Sequence, residues 1–437
     1  MKIKTRVSQF IQQLGQLAET MPDSRKGGPN QLYSMKDALL GAFSLFHMQS
    51  ESFLAHQRLL AKRKGRSNLE SVFKMKTIPT DTHIKNLLDG VPASQLGDAY
   101  KWLWQQLVKE ELLSGYRTLG GRLLVGIDGI QFFSSAKIKC EQCSQQEHDG
   151  HIRYTHRALT ALVVHPEQPF VLPVEPEFLL PQDGADKQDS EIAAAKRWLS
   201  KHEAWLQGEK GVILGDDLFS HQPFCQAVLA KQLDFILVCK PTSHETLYAW
   251  VEAIDRGGRI PEKSRRVWNG RHGEIWRYRY LNDVPLRAGD DALRVNWCEL
   301  TVTHQDTDER LYHNSFVTSI PLDDEIVMPV THAGRARWKH ENEGHNVLTT
   351  RGYNIKHNFG HGQETLTTLL FSLNMLAFFL HTFLELADWH YQQIREALGA
   401  RRVFFENSRS LMNWHIFESW EALIAFMFEG LELGSSP

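Results

Sequence analysis

Three acidic residues have the placement that metal chemistry needs. Asp128 stands in the middle of the apolar run GRLLVGIDGIQFF, where a carboxylate is costly unless a cation or hydrogen bonds satisfy it. Asp216 follows the apolar run GVILG, and Glu341 lies much later in the chain, in RARWKHENEGHNVL. Carboxylates from two strands and a later helix are what two divalent ions, about 3.5–4 Å apart, need for in-line phosphoryl displacement. Hard oxygen ligands with open water positions predict magnesium or manganese.

The segment around Glu341 has helical spacing. In a helix, Arg337, Glu341 and His345 would fall at i, i+4 and i+8 and share one face. One interpretation is a solvated face with an i, i+4 ion pair worth about 0.2–0.5 kcal/mol. The other is that Glu341 binds a metal while its neighbours contact phosphates. The elements that must position the three carboxylates bear on this choice.

The chain divides by the pattern of its predicted elements. Residues 1–118 are predicted to be helical, and the next 126 residues follow the order three strands, helix, strand, helix, strand. Asp128 lies in the first of these strands, and Asp216 ends the fourth. The predicted divisions are a helical, DNA-binding N-terminal domain (1–118), a catalytic α/β domain in two parts (119–244 and 326–390), a β-strand insertion between those parts (245–325) and a helical C-terminal tail (391–437).

Charge is distributed unevenly along the chain. The net charge of −3 gives no global reason to expect a polyanion partner. Residues 1–120, however, hold 17 Lys and Arg against 10 Asp and Glu, a local net charge of +7 that leaves about −10 for the remainder. The basic residues that cluster in LLAKRKGRSN are Lys62, Arg63, Lys64 and Arg66. This cluster is interpreted either as a solvated linker or as a phosphate-contacting patch on a DNA-binding unit.

Composition indicates a folded protein in a reducing compartment. Five scattered cysteines argue against a disulfide framework, and the first 20 residues contain no apolar secretory segment, so we expect a cytoplasmic protein. The stretch LTTLLFSLNMLAFFLHTFLEL is long enough to cross a membrane. It is interrupted by Ser372, Asn374, His381 and Glu385, which favours a helix buried in a soluble core and no membrane partner.

These motifs resemble those of the DDE transposases of bacterial insertion sequences, in the group with a β-strand insertion before the catalytic glutamate. The resemblance covers roughly residues 30–390 and depends on VGIDG, LGDDLF and RARWKHENEGHNVL followed by GYNIKHNFGHG. It implies a ribonuclease-H-like catalytic domain, an α/β fold with a mixed sheet and flanking helices. It also implies transposition by two-metal-ion phosphoryl transfer, in which element ends are cleaved and the 3′-hydroxyl is transferred to target DNA. The implied partners are terminal inverted repeats, target DNA and a second copy of the chain, and the implied location is the nucleoid of the bacterial cytoplasm.

Carried over by position, the resemblance makes Asp128, Asp216 and Glu341 the catalytic metal ligands. It makes Arg337 a phosphate-binding residue. Asp216 is preferred to Asp217 because the spacing Asp-x-x-aromatic, here DDLF, matches the family pattern. Asp217 remains the alternative.

The helix signature of the group, Y-x-x-R-x-x-x-E-x-x-x-x-x-x-K, is matched only in part. Gly334 stands at the tyrosine position and Leu348 at the lysine position. The candidates for the missing positive charge are His345, Arg351 and Lys356. The predicted DNA contacts of this segment are Arg337, Trp338, His345 and Arg351. His357 and His361, in KHNFGHG, either line the catalytic site or lie on the surface of a glycine-rich turn.

A C-x-x-C motif suggests a second metal site. Cys140 and Cys143 lie in the predicted loop between the first two strands, and three histidines follow: His148, His151 and His156. Two thiolates and two imidazoles can hold a structural zinc ion. One C-x-x-C with no second ligand pair at standard spacing does not by itself define such a site.

Two other functions fit the same residues. One is a nuclease of the same fold that cuts DNA without joining it. The other is a DNA-binding protein whose catalytic site has decayed, which Gly334 and Leu348 favour and the three intact carboxylates oppose. A membrane protein built on residues 366–386 is the most remote alternative.

Overall fold

Strands from the whole middle of the chain form one sheet. The computed structural model describes residues 5–23, 25, 32–60, 67–148, 150–181 and 189–434. The strands in these residues are β1 (Arg117–Thr118), β2 (Arg122–Ser135), β3 (Ser144–His148), β4 (His151–Val164), β5 (Leu172–Leu179), β6 (Val212–Gly215), β7 (Asp234–Val238), β8 (Glu262–Trp268), β9 (Gly273–Pro285), β10 (Arg294–His304) and β11 (Arg310–Thr318). Their order is β3–β4–β2–β6–β7–β11–β10–β9–β8, with β1 paired to β2 and β5 paired to β4.

Helices precede, cover and follow this sheet. They are α1 (Arg6–Glu19), α2 (Met35–His47), α3 (Phe53–Leu59), α4 (Asn68–Ser71), α5 (Asp81–Leu88), α6 (Gly97–Lys109), α7 (Glu191–Lys201), α8 (Glu203–Gly208), α9 (Gln222–Leu229), α10 (Glu245–Asp255), α11 (Val327–Arg335), α12 (Asn346–Thr350), α13 (Leu366–Ala387), α14 (Trp389–Leu398), α15 (Arg401–Trp414) and α16 (Trp420–Gly430). Short 3₁₀ turns span Ala93–Leu96 and Leu112–Tyr116, and a π-helical turn spans His340–His345. The predicted α/β class is confirmed, with a mixed, mostly antiparallel sheet.

The centre of the sheet is built from parallel strands. β2, β6 and β7 run parallel to one another, and β4 runs antiparallel to β2. In β2 the residues from Leu123 to Ile127 are buried one after another, as expected for a strand covered on both faces. The backbone of Gly126 meets His340, and that of Gly129 meets Glu191, so helical segments lie on opposite faces of this strand.

The predicted β-strand insertion extends the sheet. Strands β8 to β11 pair antiparallel in succession, which confirms the strands predicted for this segment. β11 then pairs antiparallel with β7, with Val317 opposite Leu237. The insertion therefore continues the central sheet at its β7 edge.

A helical layer surrounds α13, which is the helix in the described residues that is long and apolar enough to cross a membrane. In its most apolar window 89% of the residues are buried inside the protein, so α13 is a core helix. Helices from both ends of the chain pack in this layer. Ser8 Oγ donates a 2.6 Å hydrogen bond to Glu421, and Asn68 donates one of 2.9 Å to the Met412 carbonyl. The segments predicted as N-terminal domain and C-terminal tail thus share one core.

Candidate active site

One open cleft collects the three carboxylates. Asp128 lies on β2, and Asp216 comes directly after β6. Because β2 and β6 run parallel with Gly126 opposite Leu214, the two aspartates emerge at the same level of the sheet. Glu341 reaches the same place from the π-helical turn. The three side chains line a cleft of about 730 Å³, which we call the carboxylate cleft.

The surroundings of Asp128 raise the pKa of its carboxyl. Its side chain is 26% exposed, and burial raises the pKa of the carboxyl from its ordinary 3.8 to about 6. Arg337, with a guanidinium nitrogen 3.9 Å from Asp128 Oδ2, opposes this rise, whereas Asp216 and Glu191 add to it. A bound divalent cation would relieve the repulsion among these carboxylates. The donor set therefore fits a hard divalent cation.

The helix that carries Glu341 is not the regular α-helix that its spacing predicts. α11 ends at Arg335, the chain turns, and the π-helical turn at His340–His345 continues into α12. Residues four apart do not stay in line through a π turn, because its hydrogen bonds join residues five apart. Arg337, Glu341 and His345 nevertheless all line the carboxylate cleft. Such π turns are frequent at functional sites.

A hydroxyl on β4 holds the π turn against the sheet. Thr160, the cross-strand partner of Asp128, donates a 3.1 Å hydrogen bond to the Asp128 carbonyl. Its Oγ1 also lies 2.9 Å from His340 Nε2 and 2.7 Å from His345 Nε2, and can accept from both rings. Burial lowers the pKa of both histidines, to about 4 for His345, so the rings are neutral. Because Glu341 directly follows His340, these bonds fix the backbone from which its side chain extends.

The two departures from the family signature have physical reasons. A Cβ at Gly334 would lie 2.8 Å from Phe316 and 3.0 Å from Ile236, so α11 packs too closely on β11 and β7 to admit a tyrosine there. Leu348 is completely buried, which is consistent with the π turn rotating the positions that follow it. Lys356 lines the carboxylate cleft from the segment after α12. Of the three candidates for the missing charge, it is the one that brings a cation to the cleft.

The adjacent aspartates have different surroundings. Asp216 lines the carboxylate cleft. Asp217 accepts hydrogen bonds from the Lys240 backbone nitrogen at 2.7 Å and from the Ser243 hydroxyl at 2.5 Å. Asp217 therefore holds the loop between β7 and α10, and these contacts favour Asp216 as the ligand.

Two of the other predicted DNA contacts, Arg351 and Trp338, do not line the carboxylate cleft. Arg351 lines a separate cavity beside α14 and α15. Trp338 is 45% exposed, with the Lys339 ammonium 5.7 Å from its ring centroid. The basic cluster predicted to contact phosphates, Lys62, Arg63, Lys64 and Arg66, lies outside the described residues. Arg337 and Lys356 are thus the cations that line the cleft within the described part of the chain.

A fourth carboxylate, Glu191, was missed by sequence reasoning. It is the first residue of α7, and a Cβ on Gly129 would lie 2.3 Å from its carboxyl carbon. The Glu191 carboxyl thus rests on the β2 backbone beside Asp128. Burial raises its pKa, Arg157 at 4.0 Å lowers it, and Asp216 raises it further. The signal that could have found it is an acidic first residue on the helix that follows the third predicted strand.

The predicted zinc cysteines meet two histidines. The group, which we call the Cys/His cluster, consists of Cys140, Cys143, His156 and His361. His156 was among the three predicted candidates; His151 is exposed, and the side chain of His148 lies outside the described part. His361 belongs to this cluster and does not line the carboxylate cleft. It lies 218 residues after Cys143, so no local spacing signals it.

Comparison with known proteins identifies no relative of this chain. No protein-family model matches the chain, and no curated protein matches it significantly. The fold and site define an α/β protein with an open, carboxylate-lined cleft at the ends of parallel strands.

Proposed function

We propose that the chain is a DNA transposase that cuts and joins phosphodiester bonds on a ribonuclease-H-like domain. The observation that carries the proposal is the meeting of Asp128, Asp216 and Glu341, from two adjacent parallel strands and a distant helical turn, in one cleft. The strand order β5–β4–β2–β6–β7, in which β4 alone runs against the others, supports a ribonuclease-H-like domain.

The acidic and basic residues that line the cleft have roles that follow from their chemistry. Asp128, Asp216 and Glu341 would hold magnesium or manganese ions, which when bound activate the attacking oxygen and stabilise the leaving one. The Arg337 guanidinium, beside Asp128, is placed to pair with the phosphate that is cut. Lys356, further along the cleft, is placed to contact the DNA backbone.

The proposed reaction consists of two successive phosphoryl transfers. In the first, water attacks a phosphodiester at the element end, the P–O3′ bond breaks, and the 3′ oxygen leaves as a hydroxyl as the water gives up its proton. In the second, that 3′-hydroxyl attacks a target phosphodiester, forms a new P–O bond and displaces the target's own 3′ oxygen. The cleft is open, so a DNA backbone can reach the carboxylates. Since two ends must be joined, we infer a homodimer on DNA in the bacterial cytoplasm.

A strand-transfer assay tests this proposal. The full chain is incubated with manganese, a supercoiled plasmid target and a labelled duplex that carries the sequence flanking the coding region, cut beforehand to expose a 3′-hydroxyl. We expect labelled products of joined length, and none with Asp128→Asn.

The other outcomes separate the competing functions. Shortened fragments without joined product would assign the protein to the nucleases. Binding of the duplex, with neither cutting nor joining, would assign it to the DNA-binding proteins with a decayed site. Either result overturns the transposase proposal.

A further inference from the structure

The Cys/His cluster draws its members from three separate parts of the fold. Cys140 and Cys143 lie in the loop between β2 and β3, and His156 lies on β4. His361 lies in the segment between α12 and α13. Cys143 and both histidines are buried, and Cys140 is half-buried. Four side chains with soft or borderline metal-ligand atoms thus face one another in the protein interior.

The distances between the ligand atoms are those of a tetrahedral zinc site. The Cys140 and Cys143 sulfurs are 3.7 Å apart, and the two histidine Nε2 atoms are 3.2 Å apart. His156 Nε2 lies 3.4 Å from Cys140 Sγ and 3.3 Å from Cys143 Sγ, and His361 Nε2 lies 3.5 Å from Cys143 Sγ. Zinc with Zn–S of about 2.3 Å and Zn–N of about 2.0–2.1 Å requires edges of about 3.8 Å (S···S), about 3.6 Å (S···N) and about 3.4 Å (N···N). Each measured distance lies within a few tenths of an ångström of its edge.

Neighbouring groups favour the metal-binding forms of the cysteine sulfurs and histidine nitrogens in this cluster. His361 Nδ1 lies 3.0 Å from the Gly362 carbonyl, and a proton donated there leaves Nε2 free as a ligand. The backbone nitrogen of Cys140 donates to Cys143 Sγ at 3.4 Å, which favours a thiolate. The rings of Phe133 and His361 are 4.4 Å apart, so an apolar side chain covers His361 on that side. The sulfur separation of 3.7 Å is far longer than the roughly 2.05 Å of a disulfide.

The ligand set selects the metal and its role. Two sulfurs and two imidazoles in a tetrahedron suit zinc, whereas the oxygen ligands of the carboxylate cleft suit magnesium or manganese. Four protein ligands leave no open position, which is typical of a structural site.

The cluster also fixes a segment that reaches the carboxylate cleft. Lys356 lies between α12 and His361, and it lines that cleft. We propose that Cys140, Cys143, His156 and His361 form a structural zinc site that fastens the Lys356 segment to β4 and the β2–β3 loop. The positioning of Lys356 for DNA rests on the proposed function, but zinc binding does not.

Metal analysis of the purified full chain tests the site directly. We expect about one zinc per chain, and cobalt in its place should give the visible absorption of a tetrahedral thiolate site. Cys143→Ser and His361→Ala should lose the metal. His361→Cys keeps a metal-ligand side chain at this position and should retain the zinc. It provides the test if His361→Ala fails to fold. The matched controls His357→Ala, an exposed histidine of the same segment, and Cys225→Ala, a buried cysteine elsewhere, should keep zinc.

Trypsin cleavage after Lys356 tests the fastening. Removal of zinc should increase the cleavage rate there at least several-fold, whereas Cys225→Ala with its zinc bound should be cleaved at the wild-type rate. A chain that binds no zinc, or His361→Ala that binds it as the wild type does, overturns the site. Unchanged cleavage overturns the fastening. None of these readouts requires DNA joining, and Asp128→Asn should keep its zinc, so failure here is distinguishable from failure of the transposase proposal.

Discussion

The carboxylate cleft and the Cys/His cluster both depend on β4, but they use it for different purposes. β2 and β4 contribute Asp128 and Thr160 to the first, and β4 contributes His156 to the second. The cleft presents oxygen ligands beside open space, which suits exchangeable ions that meet a substrate. The cluster presents sulfur and nitrogen in a closed tetrahedron, which suits a retained ion. The two sites differ in the type of ligand atom and in whether a coordination position stays open for a substrate. These two properties, more than position in the fold, distinguish a reactive metal site from a structural one.

One segment of chain connects the two sites. It begins with Arg337 and Glu341, passes through Lys356 and ends at His361. The first three line the carboxylate cleft, and the last belongs to the Cys/His cluster. Variants along this segment and its strand partners therefore test whether the two sites act separately.

The largest expected effect is that of Asp128→Asn, which should abolish the function of the carboxylate cleft and leave the Cys/His cluster intact. Asp128→Asn removes a charged ligand, and we expect manganese-dependent DNA cleavage to fall at least about 10³-fold. Zinc content should remain that of the wild type. Cleavage is measured by gel assay and zinc by elemental analysis. Cleavage by Asp128→Asn at the wild-type rate would show that Asp128 is not a catalytic metal ligand.

Thr160→Val should damage the cleft alone. It leaves the Nε2–H groups of His340 and His345 without their acceptor, which should lower the free energy of unfolding by about 1–3 kcal/mol and weaken manganese binding by releasing Glu341. Urea unfolding and manganese titration measure the two effects. Thr155→Val is the control, since Thr155 makes only a 3.5 Å hydrogen bond from the same strand. Equal manganese affinity in both variants would contradict this role for Thr160.

Replacement of the two adjacent aspartates should have opposite consequences. Asp216→Asn should abolish manganese-dependent cleavage. Asp217→Asn should keep it but lose about 1–2 kcal/mol of stability, because a carboxylate that accepts from Lys240 and Ser243 becomes an amide. Cleavage assays and urea unfolding of both variants provide the comparison. The reverse pattern would make Asp217 the ligand.

The smallest expected effect is a shift in pH dependence. With the Asp128 pKa near 6, protons compete with the metal, so manganese affinity should fall about tenfold per unit as the pH drops below 6. For folding of the metal-free chain the sign is opposite: the pKa is raised above its ordinary 3.8, so protonation favours the folded state, and that contribution disappears as the pH rises through about 6.

Glu191→Gln removes one of the charges that raise the Asp128 pKa, so the fall in affinity should move to lower pH by less than about one unit. Manganese titrations of both proteins between pH 5 and about 7.5 measure it. A shift to higher pH would show that Glu191 does not act on Asp128 through its charge. Glu252→Gln, an exposed glutamate on α10, is the matched control and should leave the profile unchanged.

Many of the strands and helices could be predicted from the sequence, because they depend on the pattern of neighbouring residues. The apolar runs of β2 and β6 predict strands, and the alternation in β9 and β10 predicts antiparallel strands; all four were confirmed. α13 was correctly separated from a membrane span, because its polar residues are placed for bonds inside a core. His381, for example, lies 2.8 Å from the Tyr353 hydroxyl.

Other features depend on how distant elements pack. The π turn around Glu341 replaces the predicted regular helix, and the bonds of His340 and His345 to Thr160 on another element hold it to the sheet. The signature lysine position, Leu348, faces the core for the same reason. Helix spacing alone does not reveal such a change of register.

The sequence by itself determined the strands β2, β4, β5, β6 and β7 but not β3, which lies in a predicted loop. It also determined the carboxylates that interrupt or end apolar runs, and the C-x-x-C motif. These features depend on neighbouring residues. The spacing of apolar and polar residues indicates which face of a strand or helix is buried. Only the tertiary structure decided that Glu191 lies beside Asp128, that Asp217 holds a loop, and that His361 completes the Cys/His cluster. Such contacts join residues far apart along the chain, and they are determined by the packing of whole elements, which local spacing does not encode.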